Sequence, residues 1–132
     1  MRIAIVEDEP GLREMMTFLL DDEGYAVIAW PSGAGVHAMI LRERPDVLLL
    51  DLRLEESRTG MAVLEEIRND PRTRDTAVIV CSGGVHFLHE HGAMLRAQGC
   101  GVIEKPFDIG GLLGMIRSFA PAPGVTDRVP CF

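Results

Sequence analysis

Cysteine is scarce in this sequence, and the three that occur follow no metal or disulfide pattern. Cys81, Cys100 and Cys131 are odd in number and include no C-x-x-C pair. Even sets at regular spacing are typical of disulfide frameworks, and C-x-x-C pairs are typical of zinc sites. The pattern argues against both classes and favours two buried small residues, Cys81 and Cys100, with the third cysteine in a tail.

Basic residues are also few. Thirteen Lys and Arg stand against twenty Asp and Glu, which gives a formal charge of −7 at pH 7, and no basic cluster interrupts the acidic balance. Because nucleic-acid binding needs clustered Lys and Arg, direct binding of DNA or RNA is not expected. The charge favours proteins or small cationic species as partners.

Long apolar runs are absent as well. No segment approaches the ~20 apolar residues of a membrane span. Met1 and Arg2 lead directly into a short β-like stretch with Glu7 and Asp8 close behind, too early for the apolar region of a signal peptide. These absences predict a cytoplasmic protein with no membrane span.

The length of 132 residues suits one domain, since domains of ~100–150 residues are the commonest. We therefore expect no second catalytic or DNA-binding domain. We predict a domain over residues 1–119 and a flexible tail over 120–132, because Pro121, Pro123 and Gly124 give the tail a linker composition.

The stretch from Asp46 to Leu52 organises the predicted fold. Four unbroken apolar residues follow Pro45 and Asp46 and lead into Asp51. Such a run without alternation is typical of a central parallel strand that is covered on both faces. Asp51 is then at the carboxyl end of a strand, where open α/β sheets bind their ligands.

Strand-like and helix-like segments alternate five times along the chain. The predicted fold is therefore α/β, a doubly wound parallel sheet of five strands with helices on both faces. The predicted strands are residues 2–6, 25–30, 46–52, 76–81 and 101–104. The predicted helices are residues 10–23, 33–43, 61–69, 86–98 and 109–119.

Several details of these helices are open to test. Pro10 suits the first turn of the first helix, whose Met15 and Met16 are expected in the core. Ser32 is the expected N-cap of the second helix, and Asp108 that of the last. Phe119 is expected to face inward with the apolar residues of the last helix.

Polar residues follow four of the strands. They are Glu7 and Asp8 after the first, Asp51 after the third, Ser82 after the fourth and Lys105 after the fifth. Three carboxylates at one sheet edge repel each other unless a cation shares the site, and Mg²⁺ takes such oxygen ligands. An Asp carboxylate can attack a phosphoryl group, while a Lys, a hydroxyl and the Gly83 N–H are groups that stabilise the transferred charge.

This combination resembles the receiver domain of bacterial two-component response regulators, over about residues 1–119. The resemblance implies the flavodoxin-like strand order 2-1-3-4-5, a Mg²⁺ cofactor, and Asp51 as phospho-acceptor. It implies metal ligation by Glu7, Asp8, Asp51 and the carbonyl of Arg53, and contacts to the phosphoryl group from Ser82, Gly83 and Lys105. It also implies a cis peptide before Pro106.

The sequence departs from the family pattern in its signalling elements. Val102 stands where receivers often have Tyr or Phe, and both the loop after Asp51 and the stretch from Ser82 to Lys105 are one residue longer. We hypothesise that the loop 52–60 or the helix with His86, His89 and His91 transmits the signal. Those histidines are also candidates for a metal site or a pH-sensitive interface.

The resemblance predicts a single-domain response regulator, not an enzyme. It would take a phosphoryl group from a sensor histidine kinase or histidine phosphotransfer protein and signal through a downstream protein target or phosphorelay. One alternative is a pseudo-receiver that binds partners constitutively. A phosphatase is disfavoured because Arg53 stands where its Asp-x-Asp motif needs a second acid, and a flavin carrier because the acids after the first strand would repel its phosphate.

Overall fold

A computed structural model describes residues 1–51, 60–82, 92–104 and 108–119, without the side chain of Ser82. The strands are β1 (Arg2–Val6), β2 (Ala26–Trp30), β3 (Val47–Asp51), β4 (Ala77–Ser82) and β5 (Gly101–Glu104). The helices are α1 (Pro10–Asp22), α2 (Val36–Glu43), α3 (Gly60–Asn69), α4 (described over 92–97) and α5 (Ile109–Phe119).

The five strands form one parallel sheet in the order β2-β1-β3-β4-β5. This confirms the predicted doubly wound fold and its 2-1-3-4-5 order. β3 is central, and all five of its residues are buried. An uninterrupted apolar strand is stable there because helices cover both of its faces.

The core is divided by the sheet into two layers. Leu48 and Leu50 of β3 pack with buried residues of α2, α3 and α4. Val47 and Leu49 face the other way and pack with buried residues of α1 and α5. Successive side chains of a strand point to opposite faces, so a single apolar run supplies both layers.

Helix α1 begins and ends at residues that the sequence marks. Pro10 occupies its first turn, and Glu9 caps it by accepting hydrogen bonds from the N–H groups of Gly11 (3.1 Å) and Leu12 (2.5 Å). It ends before Gly24, whose φ of 94° is left-handed and is readily adopted by glycine. The capped start places the first turn of α1 directly after the acids that follow β1.

The start of α2 differs from the prediction. Its N-cap is Gly35, in a left-handed conformation (φ 76°), and no side chain caps it. The hydroxyl of Ser32 instead accepts a hydrogen bond from the N–H of Ala34 (3.2 Å) within the preceding turn. The prediction that Ser32 is the N-cap is therefore wrong, because its bond closes a local turn before the helix begins.

Other expectations for the helices are mixed. Asp108 caps α5 as predicted, accepting from the N–H of Gly111 (2.5 Å), and Met16 is buried in the core. Met15, however, is 50% exposed and Phe119 is 37% exposed, so neither belongs to the core. Each lies on a side of its helix that the other described residues cover only partly.

Cys81 and Cys100 are buried, as expected. Four predicted features lie outside the described residues. They are the loop 52–59, residues 86–91 of the predicted fourth helix, the peptide between Lys105 and Pro106, and the tail 120–132 with Cys131. None of the helices in the described ranges has the length and apolar character that crossing a membrane requires.

Candidate functional site at the carboxyl ends of β1 and β3

The sheet register brings the acids after β1 beside the acid that ends β3. Val6 pairs with Leu50, so Glu7 follows at the level of Asp51. One carboxylate oxygen from each of Glu7, Asp8 and Asp51 lies within 4.8 Å of the others. The three acids predicted to meet at this edge do meet.

Burial distinguishes the three acids. Glu7 is 3% exposed and Asp51 is 6% exposed, while Asp8 is intermediate. Negative charge in a mostly buried position is costly unless groups of opposite charge or hydrogen-bond donors compensate for it. The site is therefore an acid cluster of the kind that a bound cation stabilises, and Asp8 is its most exposed member.

Glu7 is held by the backbone around it. Its N–H donates to the carbonyl of Trp30 at the end of β2 (3.1 Å), and its Oε2 accepts from the N–H of Glu9 (3.2 Å). These bonds fix Glu7 from the neighbouring strand and from the turn before α1. A carboxylate held this way needs little rearrangement to serve as a ligand.

Glu9 does not join the acidic cluster, although it directly follows two residues that do. Both of its carboxylate oxygens accept hydrogen bonds from the first turn of α1. In the sequence the acids after β1 form one charged run, and the capping role of Glu9 was missed. The signal was Pro10, which favours the first helical turn and so places Glu9 at the N-cap.

The donor set fits a hard divalent cation. Oxygen ligands on opposite sides of an octahedral Mg²⁺ are ~4.2 Å apart, and neighbouring ligands are closer. Carboxylate oxygens within 4.8 Å of one another reach that arrangement with small side-chain adjustments. Glu7, Asp8 and Asp51 are thus the residues among those described that could hold the ion.

The remaining predicted site residues are only partly placed. Ser82 ends β4 and pairs with Glu104, one residue beyond the level at which Asp51 pairs with Cys81. Its backbone is at the same sheet edge as the acids. Arg53, Gly83 and Lys105 lie outside the described residues.

Val102 lies where the sequence departs from the family pattern. It pairs with Val80 in the sheet and packs, partly buried, against the core layer of α2, α3 and α4. A small β-branched side chain at this position has no hydroxyl or ring to move between two polar environments. His86, His89 and His91 lie outside the described residues, so their candidate roles stay predictions.

The sequence matches one known family and is similar to several known proteins. A family model described as the response regulator receiver domain matches residues 3–117. The probable transcriptional regulatory protein TcrX of Mycobacterium tuberculosis is 30% identical over 124 residues, which are 94% of this chain and 51% of that protein. Response regulator MprA of Mycobacterium leprae is 31% identical over 118 residues, which are 89% of this chain and 50% of that protein. The chain spans about half the length of these relatives.

Solved structures of other proteins have the same fold as this chain. A sensor protein from Polaromonas sp. is 28% identical, with a TM-score of 0.77 over 89% of this chain and 94% of that one. The chemotaxis protein CheY4 of Vibrio cholerae, at 23% identity, has a TM-score of 0.79 over 90% of this chain and 98% of that one. The latter likeness supports the fold alone.

Proposed function

The chain belongs to the response regulator receiver domain family of two-component systems, and we propose that Asp51 is its phospho-acceptor. Receiver domains are signalling modules rather than classical enzymes; they bind Mg²⁺ at an acidic pocket and interact with histidine kinases or phosphotransfer proteins. The observation that carries the proposal is the cluster of Glu7, Asp8 and Asp51 at one sheet edge.

The proposed step is a single phosphoryl transfer. A carboxylate oxygen of Asp51 forms a bond to phosphorus as the bond from phosphorus to the donor histidine nitrogen breaks. The electron pair of the broken bond stays on that nitrogen, which takes a proton from solvent. Asp51 gains an acyl phosphate, and the kinase or phosphotransfer protein regains a neutral imidazole.

The other residues have supporting roles in this proposal. Glu7, Asp8 and Asp51, with the carbonyl of Arg53, would hold Mg²⁺, which supplies positive charge to the phosphoryl oxygens when bound. Lys105, Ser82 and the N–H of Gly83 would bind the phosphoryl group after transfer. Phosphoryl transfer relies mainly on such positioning and charge neutralisation, so these groups suffice without a general base.

The output of the switch is proposed to be protein binding or phosphorelay. The loop 52–60 and the helix with the three histidines are the candidate signalling segments, since Val102 replaces the usual aromatic residue. Equal hydrogen exchange in both segments with and without the phosphoryl group would refute this route. Cytoplasmic location and action as a single domain are part of the same proposal.

The expectation of no nucleic-acid binding also stays a prediction. TcrX is named as a probable transcriptional regulatory protein, and this chain spans about half of it. The net charge of −7 over the 132 residues supports the expectation. A gel-shift assay with nonspecific duplex DNA at low salt tests it, and a shifted band would contradict it.

One observation favours a second candidate, a pseudo-receiver that binds a partner constitutively. It is Val102, which packs partly buried against the core and leaves no aromatic switch at that position. In this case Asp51→Asn would leave partner binding unchanged, whereas the phosphorylation proposal expects binding to lose its response to the phosphoryl donor.

The test of phosphorylation is intact mass after incubation with acetyl phosphate. Wild type, Asp51→Asn and the control Asp46→Asn are compared with and without Mg²⁺. We expect one added phosphoryl group in wild type and the control, only with Mg²⁺, and none in Asp51→Asn. No addition to wild type, under conditions that modify another receiver domain, would favour the pseudo-receiver.

A further inference from the structure

One guanidinium contacts the backbone of a residue in the acidic cluster and has no role in the function proposed above. Nη1 of Arg13 donates a hydrogen bond to the backbone carbonyl of Glu7 (3.0 Å), at a partly buried position. Arg13 belongs to the first turns of α1, where its own N–H donates to the carbonyl of Glu9 (2.9 Å). The side chain thus joins the helix to the residue at which β1 ends.

We propose that Arg13 is a positioning residue for the Mg²⁺ ligands, acting through the peptide that joins Glu7 to Asp8. The inference rests on the proposed function of the Glu7, Asp8 and Asp51 site. It adds a residue that touches neither the ion nor the phosphoryl group but sets where a ligand lies.

Glu7 is bound at three points of its own structure. Its N–H is held by Trp30 and its carboxylate by the N–H of Glu9, while its carbonyl is held by Arg13. The backbone of Glu7 is therefore fixed on both sides, by β2 and by α1. The bond to its carbonyl comes from a side chain, so a substitution can remove it.

The direction of the Glu7 carbonyl affects the position of the next residue, Asp8. The oxygen of Glu7 and the nitrogen of Asp8 belong to one planar peptide, so the direction of the carbonyl also sets the direction in which the Asp8 Cα is placed. Asp8 is the most exposed of the three acids, with less of the core around it than Glu7 or Asp51. Its position depends more than theirs on the orientation of the preceding peptide.

Arg13 is well placed to hold this orientation. It lies within α1, and the hydroxyl of Thr17 donates to its carbonyl one turn later (2.7 Å). A guanidinium on a regular helix reaches the carbonyl with a planar donor of fixed geometry. Losing an outer-shell partner of a ligating side chain typically weakens metal binding about 10- to 100-fold, and we expect the loss of a bond to the backbone of a ligand residue to lie at the lower end of that range.

The test is the Mg²⁺ dissociation constant, measured by isothermal titration calorimetry. The variants are Arg13→Met and Arg13→Gln, which remove the long cationic donor, and Arg13→Lys, which keeps a cationic donor. Arg117→Met is the matched control, because it removes an equal charge from an Arg on α5 whose partner is Glu23. Circular dichroism confirms that each variant is folded at the temperature of the titration.

We expect the Mg²⁺ dissociation constant to rise about 10-fold or more in Arg13→Met and Arg13→Gln, and to stay within about twofold of wild type in Arg117→Met. We expect Arg13→Lys to recover most of the affinity. A merely structural role would lower the melting temperature of the Arg13 variants without changing Mg²⁺ affinity in the folded protein.

Three results would overturn the inference. They are an unchanged dissociation constant in a folded Arg13→Met or Arg13→Gln variant, an equal loss in Arg117→Met, or tighter Mg²⁺ binding in Arg13→Met, which is what the removal of a nearby positive charge would cause by itself. Wild type that binds no Mg²⁺ would overturn both proposals. Wild type that binds Mg²⁺ without gaining a phosphoryl group would refute the proposed function alone, because the Arg13 comparison uses only Mg²⁺ affinity.

Discussion

Nε2 of His37 lies 2.7 Å from Oδ2 of Asp70, which ties helix α2 to the residue that follows α3. Asp70 also accepts from Arg72, through Nη2 at 2.9 Å and through the backbone N–H at 2.8 Å. The bonds from Arg72, followed by the bond to His37, hold the pKa of the Asp70 carboxyl well below its usual range. This link lies outside the acidic cluster and concerns stability.

The first prediction is a pH dependence that Asp70 causes. A carboxyl whose pKa is lowered by folding stabilises the folded state above its unfolded pKa, ~3.9, and loses that contribution as pH falls toward the lower folded value. We expect Asp70→Asn to be less stable than wild type at pH 6, with the difference shrinking below pH 4. Urea denaturation from pH 6 to pH 3 measures it, and a difference that is constant over this range would contradict the link.

The second prediction concerns Glu9, which we assign to the cap of α1 and not to the metal site. Glu9→Ala removes both capping bonds and should lower the free energy of unfolding by about 1 kcal/mol, the usual value of an N-cap. Glu9→Gln keeps one acceptor oxygen and should lose less. Mg²⁺ affinity should be unchanged in both, because the N–H that holds Glu7 is backbone.

Urea denaturation and calorimetry together decide this assignment. A loss of Mg²⁺ affinity in Glu9→Gln without a loss of stability would place Glu9 in the ion site instead of the cap.

The third prediction concerns Asp8 as a metal ligand. Asp8→Asn should raise the Mg²⁺ dissociation constant by at least about 10-fold, the lower limit for loss of even an outer-shell partner. Asp21→Asn, an exposed acid on α1, removes the same charge and is the control. Equal affinities in the two variants would mean that only net charge attracts the ion.

The fourth prediction concerns Cys81 and Cys100, which are buried. Burial raises the pKa of the Cys100 thiol, although Arg68 beside it acts in the opposite direction. In a Cys131→Ser background, we expect both thiols to react with a disulfide reagent at least about 100-fold more slowly than in concentrated urea. A thiol that reacts rapidly in the native protein would show that one of them is accessible.

The sheet could be predicted from the sequence because its signals are local. The run from Val47 to Leu50 has no polar interruption, and each strand that precedes a site residue is followed by a helix with its own stop. The parallel arrangement follows from the alternation, the order 2-1-3-4-5 is implied by the family resemblance, and the acids meet because the carboxyl ends share one edge. This is why Glu7, Asp8 and Asp51 could be grouped from the sequence.

The details that were wrong or missed depend on neighbours that periodicity does not describe. Met15 has helical spacing from other apolar residues, but it lies on a side of α1 that is half open to solvent. Ser32 has the chemistry of an N-cap, yet its hydroxyl bonds within a turn and Gly35 begins the helix. The bond from Arg13 to Glu7 joins a side chain to a backbone carbonyl, which no residue pattern indicates.

The most direct test of the proposed function locates the phosphoryl group on one residue. Wild type is incubated with acetyl phosphate and Mg²⁺, reduced with borohydride, which converts an aspartyl phosphate to homoserine, and mapped by tandem mass spectrometry of its peptides. We predict homoserine at position 51 and at no other acid of the cluster. Reduction at Glu7 or Asp8, or none at any residue, would contradict the assignment of Asp51.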